Sequence, residues 1–172
     1  TESFSLPPET AGSSCQLLMQ GRLATGSLLV TCGQHVAQVG AIGALGLRFS
    51  PEELARWLQG GELTLPAPQP LHIRLEGDFA PGATAYDIAL ACAGKKRAEG
   101  RLLLLHDHTA RGLTRAEKQT LCLMAQRAGA VSALFTAEDA PADTTLQLED
   151  YPPCAMLPVS YTHLTLPTKL EV

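Results

Sequence analysis

Apolar positions along the chain switch between a two-residue and a roughly four-residue spacing, the signature of strands alternating with helices. Leu28-Leu29-Val30-Thr31 is a short apolar run with a β-branched end, bounded by Gly26 and Gly33, and predicts a strand. Gly40-Ala41-Ile42-Gly43-Ala44-Leu45-Gly46 follows, its small residues suited to close packing as a helix or a tight turn. Ser50-Pro51-Glu52-Glu53 predicts a helix start: Ser50 caps, Pro51 suits the first helical position and Glu53 completes a capping box. Leu54, Trp57 and Leu58 then share one face, and Gly60-Gly61 ends the helix. Pro66, Pro68 and Pro70 mark an extended connection.

Leu71 to Glu76 alternates apolar and polar residues, as a half-buried strand does, which turns His72 toward solvent. Pro81-Gly82 reverses the chain. Thr84 then caps a helix that points Ile88, Ala91 and Cys92 inward and ends at Gly94. The unbroken run Leu102 to Leu105 fits a strand buried on both faces. Thr114-Arg115-Ala116-Glu117 is a second capping box, followed at helical spacing by Leu121, Met124, Ala125 and Ala128 and stopped by Gly129. Val131 to Thr136 reads as the last strand. Residues 137–158, rich in Pro, Asp and Thr, read as a surface loop. The order implies layered α/β architecture with at least some parallel pairing.

Composition adds exclusions. With 172 residues, 45% apolar and 17% charged, the chain can build one sizeable core or two small lobes. A formal net charge of -4 points to neither nucleic acid nor an anionic membrane as partner. The closest basic cluster, Lys95-Lys96-Arg97, reads as a solvated helix end. No apolar run approaches the roughly 20 residues of a membrane span. The first residues, Thr1-Glu2-Ser3-Phe4, carry no signal-peptide pattern and no initiating Met. Five cysteines at long gaps (Cys15, Cys32, Cys92, Cys122, Cys154) include no C-x-x-C and read as buried free thiols of a cytoplasmic protein.

The stretch Val159 to Thr168 (V-S-Y-T-H-L-T-L-P-T) resembles one reading frame of a transposase adapter used in DNA sequencing libraries. Residues 159–172, with His163, are therefore expected to be a non-native tail, and 1–158 the native part.

Candidate chemistry centres on Thr31-Cys32-Gly33-Gln34-His35 and the glycines after it. A polar cluster following a strand, then glycines that let backbone approach a ligand, is where α/β folds place sites. His106-Asp107-His108 puts two imidazoles on one face of a strand, but two histidines without a third ligand make a poor metal site. Arg74 and Arg101 read as surface residues.

The first of these stretches resembles C-G-D-S-H-T-x-x-x-G-A-x-G-A-L of the aconitase and isopropylmalate dehydratase large-subunit family, with His35 on the family histidine. The resemblance continues in Pro70 to Leu90, similar to a strand followed by E-G-x-x-P-P-G-V-T-A-K-D. Thr120 to Ala125 with Gly129-Ala130 is similar to T-x-C-N-M-A-x-E-x-G-A, and Glu138-Asp139 stands where the family has a D-E pair. The three segments are in order and cover residues 26–140. The resemblance implies an aconitase-like layered α/β domain, present in part, with a mixed or largely parallel sheet and flanking helices. It implies a hydro-lyase acting on a hydroxy-polycarboxylate such as citrate or isopropylmalate. His35 is then the catalytic candidate, with Gln34, Gly40 and Gly43 as substrate-binding candidates.

Departures qualify this. Gly33 and Gln34 replace the family Asp and Ser, Leu123 replaces an Asn, and a family Glu is lost within Leu102 to Leu105. The family [4Fe–4S] cluster is held by cysteines in contexts that none of these five match. The cofactor is therefore expected in the complete parent and not in this chain, and Cys32 and Cys122 are expected to be buried packing residues. A small subunit or the rest of the polypeptide is an expected partner. The alternative is a degenerate, non-catalytic aconitase-like binding protein.

Overall fold

The computed structural model describes residues 13–93, 98–137 and 140–154, the side chains of 91–93 excepted. The elements run α1 (Ser14–Met19), β1 (Leu28–Thr31), a 3-10 helix (Val36–Ile42), β2 (Leu45–Arg48), α2 (Pro51–Leu58), β3 (Pro70–Gly77), α3 (Ala85–Ala93), β4 (Leu102–Thr109), α4 (Arg115–Arg127), β5 (Ser132–Phe135) and β6 (Thr144–Gln147). A further 3-10 turn, Leu148–Asp150, follows. Every described strand pair is parallel. β1 pairs with β2, and the larger sheet has the order β5-β4-β3-β6.

The alternation in β3 sets its faces. Leu71, Ile73 and Leu75 turn toward α3 and α4, where Leu71 and Leu75 join Leu103, Leu105, Ile88, Leu121, Cys122 and Met124 in one core. Each such side chain, once buried, contributes about 1.5–3 kcal/mol through apolar area removed from water. Both capping boxes form: Ser50 with Glu53, and Thr114 with Glu117. Thr84 starts α3 with its hydroxyl and N–H donated to Asp87 Oδ2 at 2.6 and 2.8 Å, and the other oxygen of Asp87 accepts from the Cys154 N–H at 2.8 Å.

Several expectations change. Val131 to Thr136 does not hold the last strand: β6 lies within the stretch read as loop and pairs with β3 from Ile73↔Thr144 to Glu76↔Gln147. Its short, polar sequence carries no alternation, and β3 supplies the ladder. Leu148, just after it, is fully buried. The strand opened by Leu102 continues to Thr109, because β3 offers pairing partners as far as Gly77. β2 and α1 carried no period long enough to be read. His72 is not turned to solvent; it is half-buried against His106. Cys32 is exposed rather than buried, whereas Cys122 is fully buried as expected. The predicted end of α3 at Gly94, the Lys95-Lys96-Arg97 cluster, the inward side chains of Ala91 and Cys92, the Glu138-Asp139 pair and the tail 159–172 lie outside the described residues.

One carboxylate ties the end of β4 to α4. Asp107 accepts from the Thr109 hydroxyl at 2.7 Å and the Leu113 N–H at 2.9 Å, and pairs with Lys118 at 2.9 Å. The Lys118 ammonium also lies 5.0 Å from the centre of the Phe135 ring, joining β5 to the same node. Burial pushes the Asp107 pKa up, but these hydrogen bonds outweigh it and hold the group at about 2. A folded pKa below the unfolded value of about 3.9 means that the stabilisation is present above that value and is lost as pH falls through about 2. Asp107→Asn should therefore melt below the wild type at pH 7, and its melting temperature should fall less steeply between pH 4 and 2. Circular dichroism melts across that range check this; parallel wild-type and variant curves would contradict it.

Candidate functional site

The segment from Thr31 to His35 leaves the C-terminal end of β1 as a tight, exposed loop. Its first turn is fixed by the Gly33 N–H donating to Thr31 Oγ1 at 3.1 Å. Gln34 and His35 are both exposed, and His35 occupies the cap position of the 3-10 helix with φ -108° and ψ 19°. No described side chain hydrogen-bonds its imidazole. An imidazole acting as acid or base needs its second nitrogen oriented by a partner, and Gly33 has no side chain to supply one.

Beneath the loop the backbone is closely packed. Val36, Ala37, Val39 and Gly40 of the 3-10 helix are buried. A Cβ on Gly40 would lie 2.0 Å from the Ala133 carbonyl oxygen, so the helix meets β5 backbone to backbone. Gly43 adopts the left-handed conformation, φ +73°, and a Cβ there would lie 2.9 Å from Thr25 Cγ2. The Thr25 hydroxyl donates to the Ile42 carbonyl at 2.9 Å, and the Gly26 N–H to the Gly43 carbonyl at 2.9 Å. The buried Ser132 hydroxyl donates to the Gly46 carbonyl at 2.7 Å, pinning β2 to β5. The structure thus places Gly40 and Gly43 in the packing under the loop, and Gln34 and His35 on its surface.

A second concavity lies where the chain leaves β3 and β4. It is an open cleft of about 570 Å³ lined chiefly by residues 78–86 and by Arg111, Glu117 and Thr120. Arg111 lies 5.1 Å over the Phe79 ring and makes a two-pronged pair with Glu117 at 2.5 and 3.2 Å. That pairing lowers the Glu117 pKa, because the guanidinium bonds favour the charged form. Arg111 and Glu117 are thus paired with each other, and Glu117 also with the α4 cap.

The third cluster was only half legible. His106 shares a face with exposed His108, as the alternation requires, but its partner is His72 of the neighbouring strand. The His72 Nδ1 to His106 Nε2 distance is 3.0 Å, with ring planes 20° apart and centroids 5.3 Å apart. Nitrogens so close lie nearer than the roughly 3.5 Å of two rings in face-to-face contact, so the rings meet edge to edge in an N–H···N bond. The two bonded nitrogens point at each other rather than converging on a third point. Among the described residues no three His, Cys, Asp or Glu side chains gather as metal ligands. Arg74, half-buried on that face, lies 3.9 Å from Glu76, and Arg101 is exposed. Asp107 and Ser132 were not singled out from sequence; an Asp two residues before a Thr, at a strand end, was the available signal for the first.

With this geometry in place, the chain can be set beside known proteins. The family described as aconitase (aconitate hydratase) matches residues 8–147. The chain belongs to the aconitase family. It is 32% identical over 127 residues to the 3-isopropylmalate dehydratase large subunit of Elusimicrobium minutum, covering 72% of this chain and 30% of that protein. The corresponding protein of Roseiflexus castenholzii is 30% identical over 153 residues, covering 84% of this chain and 32% of its own length. The chain spans about a third of the length of the curated relatives it matches. The family assignment agrees with the observed parallel sheets and flanking helices.

The backbone contact at Gly40 generates a test. Gly40→Ala forces a methyl into the Ala133 carbonyl and should destabilise the chain by about 1–3 kcal/mol or more. Gly21→Ala, which meets nothing within 4 Å, serves as the control. Urea midpoints measure both; equal midpoints would remove Gly40 from the packing account.

Proposed function

We propose that this chain is part of a hydro-lyase of the isopropylmalate dehydratase type, which removes and re-adds water on a hydroxy-polycarboxylate, and that the chain by itself does not turn over. The observation that carries the reading is the match of residues 8–147 to the aconitase family, with large subunits of 3-isopropylmalate dehydratases among the relatives. A small subunit, or further chain of the same protein, is the partner this implies. The family chemistry operates in the cytoplasm in this reading, and no helix among the described residues is long and apolar enough to cross a membrane.

His35 is the residue we assign to the substrate hydroxyl, with Gln34 beside it and Gly40 and Gly43 holding the loop. Gly40 and Gly43 stay in this reading as substrate-binding positions, and both also pack closely on protein, where an added Cβ would lie 2.0 and 2.9 Å from its nearest neighbour. An open iron of a [4Fe–4S] cluster would act in the complete protein as a Lewis acid on the substrate. The described cysteines do not fit such a cluster. Cys15 and Cys122 are buried in two different cores, and burial pushes both thiols up, away from the thiolate that iron requires. Cys32 and Cys154 are exposed. No step through iron is derived for this chain.

The second reading, a non-catalytic aconitase-like binding protein, is favoured by Gly33 and by the apolar run Leu102 to Leu105, which remove two acidic groups at family positions. A Lewis acid, a base and a fixed proton donor act as a unit, and His35 cannot replace the others. We expect no hydration of aconitate, followed by ultraviolet absorption, above a protein-free control, with iron and sulfide supplied anaerobically. Turnover that His35→Ala abolishes would overturn the claim of inactivity.

Residues 159–172 are proposed to be foreign to the fold. A chain ending at Pro158 should keep the melting temperature and sedimentation of the full chain. A markedly lower melting point would return the tail to the native protein.

A further inference from the structure

The interiors of folded proteins are packed as densely as organic crystals, and voids larger than a water molecule are few. The main core of this chain departs from that density. Between the inward face of the larger sheet and the helices α3 and α4 lies a cavity of about 100 Å³. Its floor is Leu71, Leu75, Leu103 and Leu105, the inward residues that the alternation of β3 and β4 supplies. Ile88 of α3 and Met124 of α4 close it from the helix side. The space exists because both helices also turn alanines toward it: Ala89, next to Ile88, and Ala125, next to Met124. A methyl group stops short of where a leucine would reach. The paired backbones of β3 and β4 hold the floor in place, so the core closes over the gap only in part.

What such a space accepts follows from its walls. Among the described lining residues, Thr144 of β6 alone carries a polar side chain. A buried water needs about two to four polar partners, so water gains little by entering. An apolar cavity of roughly 150 Å³ lined by Leu, Ile and Phe stays dry and takes up xenon or benzene. The walls here are of the same kind, and the volume of about 100 Å³ suits a smaller guest. We propose that the cavity between the sheet and α3 and α4 is a binding site for one small, uncharged, apolar molecule of the size of a short alkane. No charged side chain lines it, so carboxylates and phosphates are excluded as occupants. No residue of the Thr31–His35 loop lines it either, so the site stands apart from the hydro-lyase reading. The half-buried Ala98 and Ala128, which precede β4 and β5, mark the end at which a guest enters.

The test follows the methyl resonances of the full chain by nuclear magnetic resonance under rising pressure of xenon and, separately, of propane. The methyls of Ile88 and Met124 should shift and then saturate with either gas. Met19, buried in the smaller core with Cys15 and Val39, serves as the internal control and should not follow. Shifts that rise linearly and equally at Met124 and Met19 overturn the proposal, because they report gas dissolved around the whole protein. So does a water-to-methyl Overhauser effect at Ile88, which would show a hydrated cavity. Ala125→Leu carries its larger side chain into the space. That variant should keep the wild-type circular dichroism spectrum, melt at or above the wild type and lose the saturable shift at Ile88. Ala89→Met fills the same space from α3 and gives the same expectation should Ala125→Leu fail to fold. A folded variant that keeps the wild-type response to xenon and propane places the gas elsewhere and overturns the proposal. None of these readouts depends on hydration of any substrate, so a failed activity assay and a failed gas titration remain separate results.

Discussion

The approach of the Val36–Ile42 3-10 helix to β5 is the constraint on which the arrangement of the two sheets depends. Backbone meets backbone there only because Gly40 has no Cβ, and a second close approach at Gly46 sets β2 against the Val36 carbonyl, 2.4 Å from where a Cβ would sit. The buried Ser132 hydroxyl then bonds the Gly46 carbonyl across the junction. A buried hydroxyl and carbonyl left apart would each carry a desolvation cost of about 1–3 kcal/mol, so their bond favours one relative placement of β2 and β5. The loop carrying Gln34 and His35, and the small cluster of Cys15, Met19, Val39 and Ala44, are positioned by that junction.

The polar residues nearest the sheet ends are engaged in building. Asp107 holds the turn into α4, Asp87 joins the start of α3 to Cys154, and Glu117 closes a capping box while pairing with Arg111. Each carboxylate accepts several donors, which favours its charged form and leaves little capacity to exchange protons near neutral pH. The family frame persists, while its polar groups at Gly33 and within Leu102 to Leu105 are absent from the sequence.

Local signals were legible wherever local chemistry suffices. The capping boxes at Ser50 and Thr114, the turn at Pro81-Gly82 and the longer apolar periods each depend on residues within a few positions of one another. His35 was legible as the head of a loop after a strand because the β1 run and the glycines around it are contiguous. The His72–His106 bond was not, since alternation gives the face of a strand but not the neighbour across the ladder, 34 residues away. β6 was not legible either: Thr144 to Gln147 is a strand because β3 has an open edge, not because its own sequence demands one.

The sequence by itself therefore determined the capped starts of α2 and α4, the longer alternating elements and the family, since each is written in residues close along the chain. Only the tertiary structure decided that all the described strands run parallel, that Gly40 and Gly43 serve packing, that Cys32 is exposed, and that Trp57 and Leu58 face outward. Those outcomes depend on which distant segments meet, and a meeting of backbones or of two imidazoles leaves no periodic trace in either segment alone.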